Sequence, residues 1–298
     1  MSLLLLMGGP SFSGPLDTLG TGLESAWSVG RRLRTGYTSS IIRVRRSSDN
    51  SESDFGYLAS GAVDVSAVTS FCGAGDGFLT TIYDQSGNSR NMVQATTTLQ
   101  PQVVASGVAN TQNGKLVAAF DGATSSRRMA VASSTALYNF IHNGTNSTIH
   151  FVCSVTNDAN AKSILRNVTT GTDVGFYLAA TTGEGIQFVV QNASGAIVNA
   201  TKSGTATVHQ HTLLVDADNA TAADREEMWR DGSLLSGDNA LTGTVSSANA
   251  ARTLSIGTNS SGTSQFNGWI SEIVMWSADV TASRTTFESS ARTFWGLP

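Results

Sequence analysis

Few side chains in this 298-residue chain have the spacing that proton transfer or metal binding requires. Cleaving the bond between two sugars takes a pair of carboxyl groups facing each other across it, one protonated and one ionised. Glu52-Ser53-Asp54 opens an acidic run of that kind, but Tyr57 stands where a Glu-x-Asp-x-x-Glu series would place its last carboxylate. Glu184 and Glu272 are remote in sequence and would have to meet on one sheet. His209 and His211 share a strand face, as two metal ligands would, yet no third ligand is suggested, and an exposed histidine pair is the plainer reading. There is no glycine-rich phosphate loop and no serine nucleophile elbow. Asp84, within Tyr83-Asp84-Gln85-Ser86-Gly87-Asn88, is either a ligand contact or a turn aspartate capping backbone amides before Ser-Gly.

The elements that must position these groups are strands. Charged residues make up 13% of the chain and Pro only four positions, while short apolar runs recur throughout, which suits many strands joined by tight polar turns. Phe78–Tyr83 reads as a strand, followed by candidates at Gln102–Ala105, Leu116–Phe120, Met129–Ala132, Thr148–Thr156, Ser163–Arg166, Gly175–Ala179 and Ile186–Gln191. The series continues through Ala196–Thr201, His209–Val215, Glu227–Arg230, Arg252–Ile256 and Trp269–Trp276, punctuated by Asp121-Gly122, Asn143-Gly144 and Asp231-Gly232 turns. The spacing predicts helices over Leu23–Leu33, over Asp64–Phe71 with Asp64 as N-cap, and over Ser283–Trp295. Such a pattern is all-β, a two-sheet sandwich with a few short helices.

Residues 1–22 read as an arm and linker, and residues 23–298 as one sandwich domain. Leu3-Leu4-Leu5-Leu6-Met7 is too short for a membrane span and lacks the basic residues of a signal peptide. Exposed leucines are costly in water, so Leu3, Leu4, Leu5, Leu6 and Met7 are expected to dock on another subunit, with folding back on their own domain as the alternative. The net charge of −4 argues against a nucleic-acid partner. Arg43, Arg45 and Arg46 read as a solvated strand face or as contacts to an acidic glycan. Two cysteines, Cys72 and Cys153, make no disulfide framework.

Three segments carry a resemblance: Arg43-Val44-Arg45-Arg46-Ser47-Ser48-Asp49-Asn50, Ser70-Phe71-Cys72, and above all Tyr83 to Asn88. Together they resemble the opening of the catalytic domain of the glycoside hydrolase family 54 α-L-arabinofuranosidases, which implies a concanavalin A-like jelly-roll sandwich. The C-terminal half is independently similar to laminin G-like and pentraxin-like sandwiches, through Trp229-Arg230-Asp231-Gly232, Leu254-Ser255-Ile256-Gly257 and Phe266 to Trp276. By the family resemblance, the cysteine matching Cys72 would pair with one at the position of Gly77, so that local disulfide is gone and a reducing compartment is implied. It likewise implies a nucleophile position at Val174 or Gly175 and an acid position on or beside Asn259, so that both catalytic carboxylates are missing.

On these grounds no catalytic residue and no metal ligand is assigned; no cofactor is expected, since calcium, common in laminin G-like domains, has no acidic cluster to hold it. Asp84, Asn88, Asn259 and Trp269 are the candidate carbohydrate contacts. The favoured reading is a non-catalytic adhesion or structural module of a virus particle, such as a phage tail fibre, spike or capsid decoration protein. It would be made in the host cytoplasm, join other virion subunits and further copies of itself through the arm, and bind host surface glycan. Two alternatives stay open: a working glycoside hydrolase acting on surface polysaccharide, and a purely structural subunit that binds no sugar.

Overall fold

The computed structural model describes residues 12–122, 126–156, 162–181, 185–202, 208–236, 243–258 and 264–298. Leu3, Leu4, Leu5, Leu6, Met7, Glu184 and Asn259 lie outside the described residues. The first strands are β1 (Leu23–Ser28), β2 (Ile42–Arg46) and β3 (Glu52–Phe55), followed by helix α1 (Val65–Cys72). Then come β4 (Gly77–Ile82), β5 (Met92–Val93), β6 (Gln102–Ala105), β7 (Val108–Ala109) and β8 (Thr111–Gln112). Next are β9 (Lys115–Leu116), β10 (Ala118–Phe120), β11 (Met129–Val131), β12 (Ser147–Val155) and β13 (Lys162–Arg166). The second half holds β14 (Gly175–Ala180), β15 (Ile186–Asn192), β16 (Gly195–Lys202) and β17 (Val208–Val215). The chain closes with β18 (Glu226–Arg230), β19 (Ser233–Leu234), β20 (Ser255–Ile256), β21 (Gly268–Trp276) and helix α2 (Arg284–Trp295).

These strands pair antiparallel into two layers. In the first, β21 lies between β12 on one side and β1 and β10 on the other, and β17, β18 and β19 continue beyond β12. The second runs β3, β2, β4, β5, β11, β20, β13, β14, β15, β16. A seam at Ala119↔Gln102 joins the layers, because β6 pairs with both β4 and β10. Side chains at alternate positions fill the space between the layers: Ile149, Phe151, Ile273 and Met275 from the first, Phe176, Leu178, Phe188 and Val190 from the second. The sandwich expected from the sequence is the fold observed.

The outer face of the first layer is also buried, under α2. Val274 and Trp276 pack there on Phe287, and Val152 on Ala291 and Trp295. Leu16 and Leu19, where the sequence reads as a linker, are buried in the same cluster. This double covering explains the one helix that the sequence misplaces: Leu23 to Ser28 is β1, not a helical turn. Leu23 and Ala26 face the α2 cluster while Trp27 enters the main core, and the register shifts between Leu23 and Ser25. A strand apolar on both faces and bulged loses its period of two and imitates helical spacing.

The other two helices stand where expected. Asp64 caps α1 by accepting the Ala67 amide at 3.0 Å, and Gly296 ends α2 in the left-handed conformation at φ 65°. The arginines of β2 are not a bare solvated face. Arg43 grips Asp54 through two bonds of 2.8 Å, Arg46 grips Asp49, and Arg45 is buried with its Nε donating to Gln100. Cys72 and Cys153 are free and buried. A Cβ at Gly77 would sit 2.6 Å from the Cys72 sulfur, so the two positions of the family's local disulfide do face each other here.

Candidate functional site

Two strands of the second layer turn polar side chains away from the core. Phe176 and Leu178 of β14 point inward, so Tyr177 and Ala179 point outward. Arg166, at the end of β13, is in register with Tyr177, and Gln191, near the end of β15, with Gly175. Together with Thr169, Thr170 and Gly171 of the β13–β14 turn and Ser264, these residues enclose a cavity of about 220 Å³. The polar row runs on across the sheet, where the Gln187 amide donates to Asn199 at 2.9 Å.

Arg166 is 9% exposed. Its Nε donates to Val168 O at 2.8 Å and its Nη1 to Ser163 Oγ at 2.9 Å, while Nη2 meets no acceptor among the described residues. The guanidinium lies 5.2 Å from the centre of the Tyr177 ring, a cation–π distance. Burial pulls its pKa down, against the opposing pull of Tyr177 and Asp173, and the group remains a cation, as arginine does in any protein. Gln191 is 6% exposed, and its Oε1, closed off from solvent, has no hydrogen-bond donor among the described residues. Asp173 stands one turn away, taking the Thr169 and Thr170 amides at 2.6 and 3.0 Å. Burial raises its pKa, but those bonds outweigh it, and the carboxyl is held below its ordinary value.

Two larger cavities are lined by arginines that the fold engages more fully, by ion pairs or stacking. The one of about 520 Å³ beside Asn88 contains Arg90, but Arg90 is paired with Glu24 at 2.7 Å. Asn88 there donates to the Leu23 and Glu24 carbonyls at 3.0 Å. The one of about 450 Å³ near Phe12 is bordered by Arg31, which is bound to Glu272, and by Arg32, whose Nε and Nη2 donate to the Arg34 and Thr35 carbonyls while its guanidinium lies over the Phe12 and Tyr57 rings. A pocket recognises a polar ligand through groups the fold has not already satisfied. By that criterion the Arg166 pocket is the candidate site.

The residues singled out from sequence are dispersed. Asp84 is buried, and its carboxylate accepts from the Ala26, Ser86 and Arg90 amides and the Ser86 hydroxyl, at 2.7 to 3.0 Å. It is therefore the turn cap of the two readings, tying the Ser-Gly-Asn turn to β1. Trp269 packs against the cluster beneath α2, on the opposite layer. Glu272 is buried in the same region and held by Arg31 through two bonds of 2.7 Å. Nor are the histidines an exposed pair: His209 bonds Asp231, and His211 is buried, stacked 4.8 Å from Phe151. Gly175, an expected nucleophile position, adopts φ 139°, and a Cβ there would meet Asn167 Oδ1 at 2.4 Å. Arg166 and Gln191 escape sequence reasoning; their one local signal is that each is a polar residue closing an apolar run, Ile164-Leu165 and Val189-Val190.

Comparison with known proteins gives one consistent result. Residues 17–175 match the family model described as alpha-L-arabinofuranosidase B, catalytic. A probable alpha-L-arabinofuranosidase B of Aspergillus flavus is 38% identical over 87 residues, covering 28% of this chain and 17% of the relative. An alpha-L-arabinofuranosidase of Hypocrea jecorina is 35% identical over 86 residues, again 28% and 17%. The chain thus spans about a sixth of the length of the curated relatives it matches. Among solved structures, a GH54 arabinofuranosidase soaked with a cyclic sulfate inhibitor superposes with a TM-score of 0.65 at 18% identity, over 92% of this chain and 64% of that one. An arabinofuranosidase complexed with arabinofuranosyl-alpha-1,2-xylobiose gives the same figures. At that identity the likeness is one of fold. None of these relatives is named as a virion protein.

Proposed function

Because this chain belongs to the α-L-arabinofuranosidase B catalytic family, we propose that it is a glycan-active domain of the arabinofuranosidase type, a glycoside hydrolase that seats its sugar at the Arg166–Tyr177–Gln191 pocket. The family match carries this reading: it runs from before β1 into β14 and takes in Arg166 and the turn that walls the pocket. The chemistry of the wall supports it. A sugar offers hydroxyl acceptors to the spare N–H groups of Arg166 and a C–H face to Tyr177. A volume of about 220 Å³, below the range typical of drug-sized ligands, suits one sugar unit.

Hydrolysis requires two carboxyl groups roughly 5–9.5 Å apart, one kept protonated. Asp173, ionised by its amide bonds, is suited to the base or nucleophile role rather than to the acid. A second reading, capture of a sugar without cleavage, is favoured by Gln191, since an amide in the wall binds hydroxyls but transfers no proton. The virion adhesion module and the non-enzyme expected from the sequence give way to the hydrolase alternative, which the family match supports.

Incubation of the purified chain with 4-nitrophenyl α-L-arabinofuranoside and with arabinose-substituted xylan tests the proposal. Released nitrophenol or arabinose is the expected result. Saturable sugar binding without release would establish the second reading instead, and neither binding nor release would overturn both.

A further inference from the structure

The Tyr83 to Asn91 turn, singled out by its sequence, takes no part in the Arg166 pocket. Asp84 and Asn88 spend their polar groups on the fold: Asp84 takes the Ser86 and Arg90 amides, and Asn88 donates to the Leu23 and Glu24 carbonyls. Asn91 Oδ1 accepts the Asp84 amide at 2.9 Å. Those bonds fix a turn that presents what they leave over. The hydroxyl of exposed Ser89 and the Asn91 Nδ2 make no hydrogen bond among the described residues. This turn lines the cavity of about 520 Å³, and the rest of the lining is apolar: Val93, Val131, Ala132 and Leu137. Val93 is 42% exposed, an aliphatic surface left open to solvent. One polar wall and one apolar wall match a sugar ring, which has hydroxyls at its edge and C–H groups on its face.

Strand register ties this cavity to the first. Met92 enters the core, so Val93 turns outward, to the same face of the second layer as Arg166 and Tyr177. Val93 pairs with Ala130, Ala130 with Ser255, Ser255 with Arg166, and Arg166 with Tyr177. One row of side chains thus reaches both cavities, and three strand steps, roughly 14 Å, separate Val93 from Arg166. The residues between them in that row, Ala130 and Ser255, are too short to wall one cavity off from the other.

On the reading that the Arg166 pocket takes a sugar, we propose that the cavity bounded by Ser89 and Leu137 is a second subsite for the same glycan, holding a neutral sugar ring further along the chain. The C–H face of that ring lies on Val93 and Leu137, and its hydroxyls accept from Ser89 and Asn91. The domain therefore takes an oligosaccharide segment rather than a lone terminal sugar, and Asp84 and Asn88 act as positioning residues for the turn that meets it.

Titration of the full chain with methyl α-L-arabinofuranoside, with linear arabino-oligosaccharides and with arabinose-substituted xylo-oligosaccharides of increasing length tests the assignment. Affinity, read as Kd or, where sugar is released, as kcat/KM, is expected to rise roughly 10- to 100-fold once the ligand spans both cavities. The series that shows the rise identifies the backbone. Ala132→Trp fills the cavity from an exposed position, and Val93→Asp puts a carboxylate on its apolar wall. Each, checked for folding by circular dichroism, should erase the gain with length and leave the response to methyl α-L-arabinofuranoside unchanged. No gain with length in wild type, or a gain that survives the filled cavity of folded Ala132→Trp, would overturn the second subsite and leave the Arg166 reading standing. Failure of every sugar, short or long, to bind would remove that underlying reading as well.

Discussion

Beneath α2, on the outer face of the first layer, Arg31 meets Glu272, Thr212 donates to Glu288 at 2.7 Å, and Arg284 reaches Glu288 at 3.1 Å. His150 completes the group, its Nδ1 3.3 Å from Thr212 Oγ1 and its Nε2 4.0 Å from Glu272. On the outer face of the second layer, Arg166 is buried almost as deeply but keeps N–H donors in reserve, and the enclosed Gln191 oxygen has no donor among the described residues. Both regions place polar groups where solvent cannot satisfy them. In the first, Glu272 is held by Arg31 and Glu288 by Arg284 and Thr212, so the network holds α2 in place, although His150 Nε2 and Arg292 Nε have no hydrogen-bond partner among the described residues. In the second the partner has to come from outside. Burial of charge therefore does not by itself mark a site; a buried cation that lines a cavity and has no counter-charge among the described residues is the stronger sign.

The contrast can be broken by mutation, and the largest effect is expected at the satisfied network. Glu272→Ala leaves the Arg31 guanidinium buried and unpaired, and should cost about 3–5 kcal/mol of unfolding free energy in urea titration. A loss below about 1 kcal/mol would mean that the network contributes little to stability.

A pH series gives the next effect. Burial holds His150 at about 4, with Arg31 acting in the same direction and Glu272 against it. Its folded pKa lies below the unfolded value of roughly 6.5. As pH falls through that window the unfolded chain takes up a proton that the folded one refuses, so the His150 contribution to stability is present above pH 6.5 and is lost toward pH 4. Glu226 slopes the other way, because burial against the partial relief of Lys202 lifts it to about 7. The measurement should therefore be the difference between wild type and His150→Gln, from which Glu226 cancels. That difference is expected to shift in favour of the variant as pH drops from 6.5 to 4.

Smaller changes are expected at the pocket. Arg166→Met removes a cation with no internal counter-charge and should cost no more than roughly 1–2 kcal/mol, mostly for the orphaned Val168 carbonyl. Gln191→Leu discards an unsatisfied oxygen and should leave the melting temperature unchanged or slightly raised. If either matched Glu272→Ala in cost, the pocket would belong with the structural networks.

The sequence discloses the sandwich more fully than the site. Strands such as β12 and β21 announce themselves through apolar residues and flanking turns, and Asp64 and Gly296 mark helix ends by local chemistry. β1 misleads because α2, nearly the whole chain away, buries its second face. Asp84 is locally interpretable as a cap, and it is one. Arg166, Tyr177 and Gln191 converge only through the register of β13, β14 and β15, and pairing register is a long-range property that no single window of sequence contains.

The pairing of β1 with β21 has a consequence for the birth of the molecule. Leu23 lies opposite Trp276, and the Trp276 indole donates to the Leu19 carbonyl at 2.9 Å. While the ribosome is still extending the chain, β1 lacks its strand partner, and its apolar surfaces stay open until β21 emerges. Closure of the first layer thus waits for β21, and a nascent chain stalled before it offers chaperones or other stalled chains a sticky ribbon at β1.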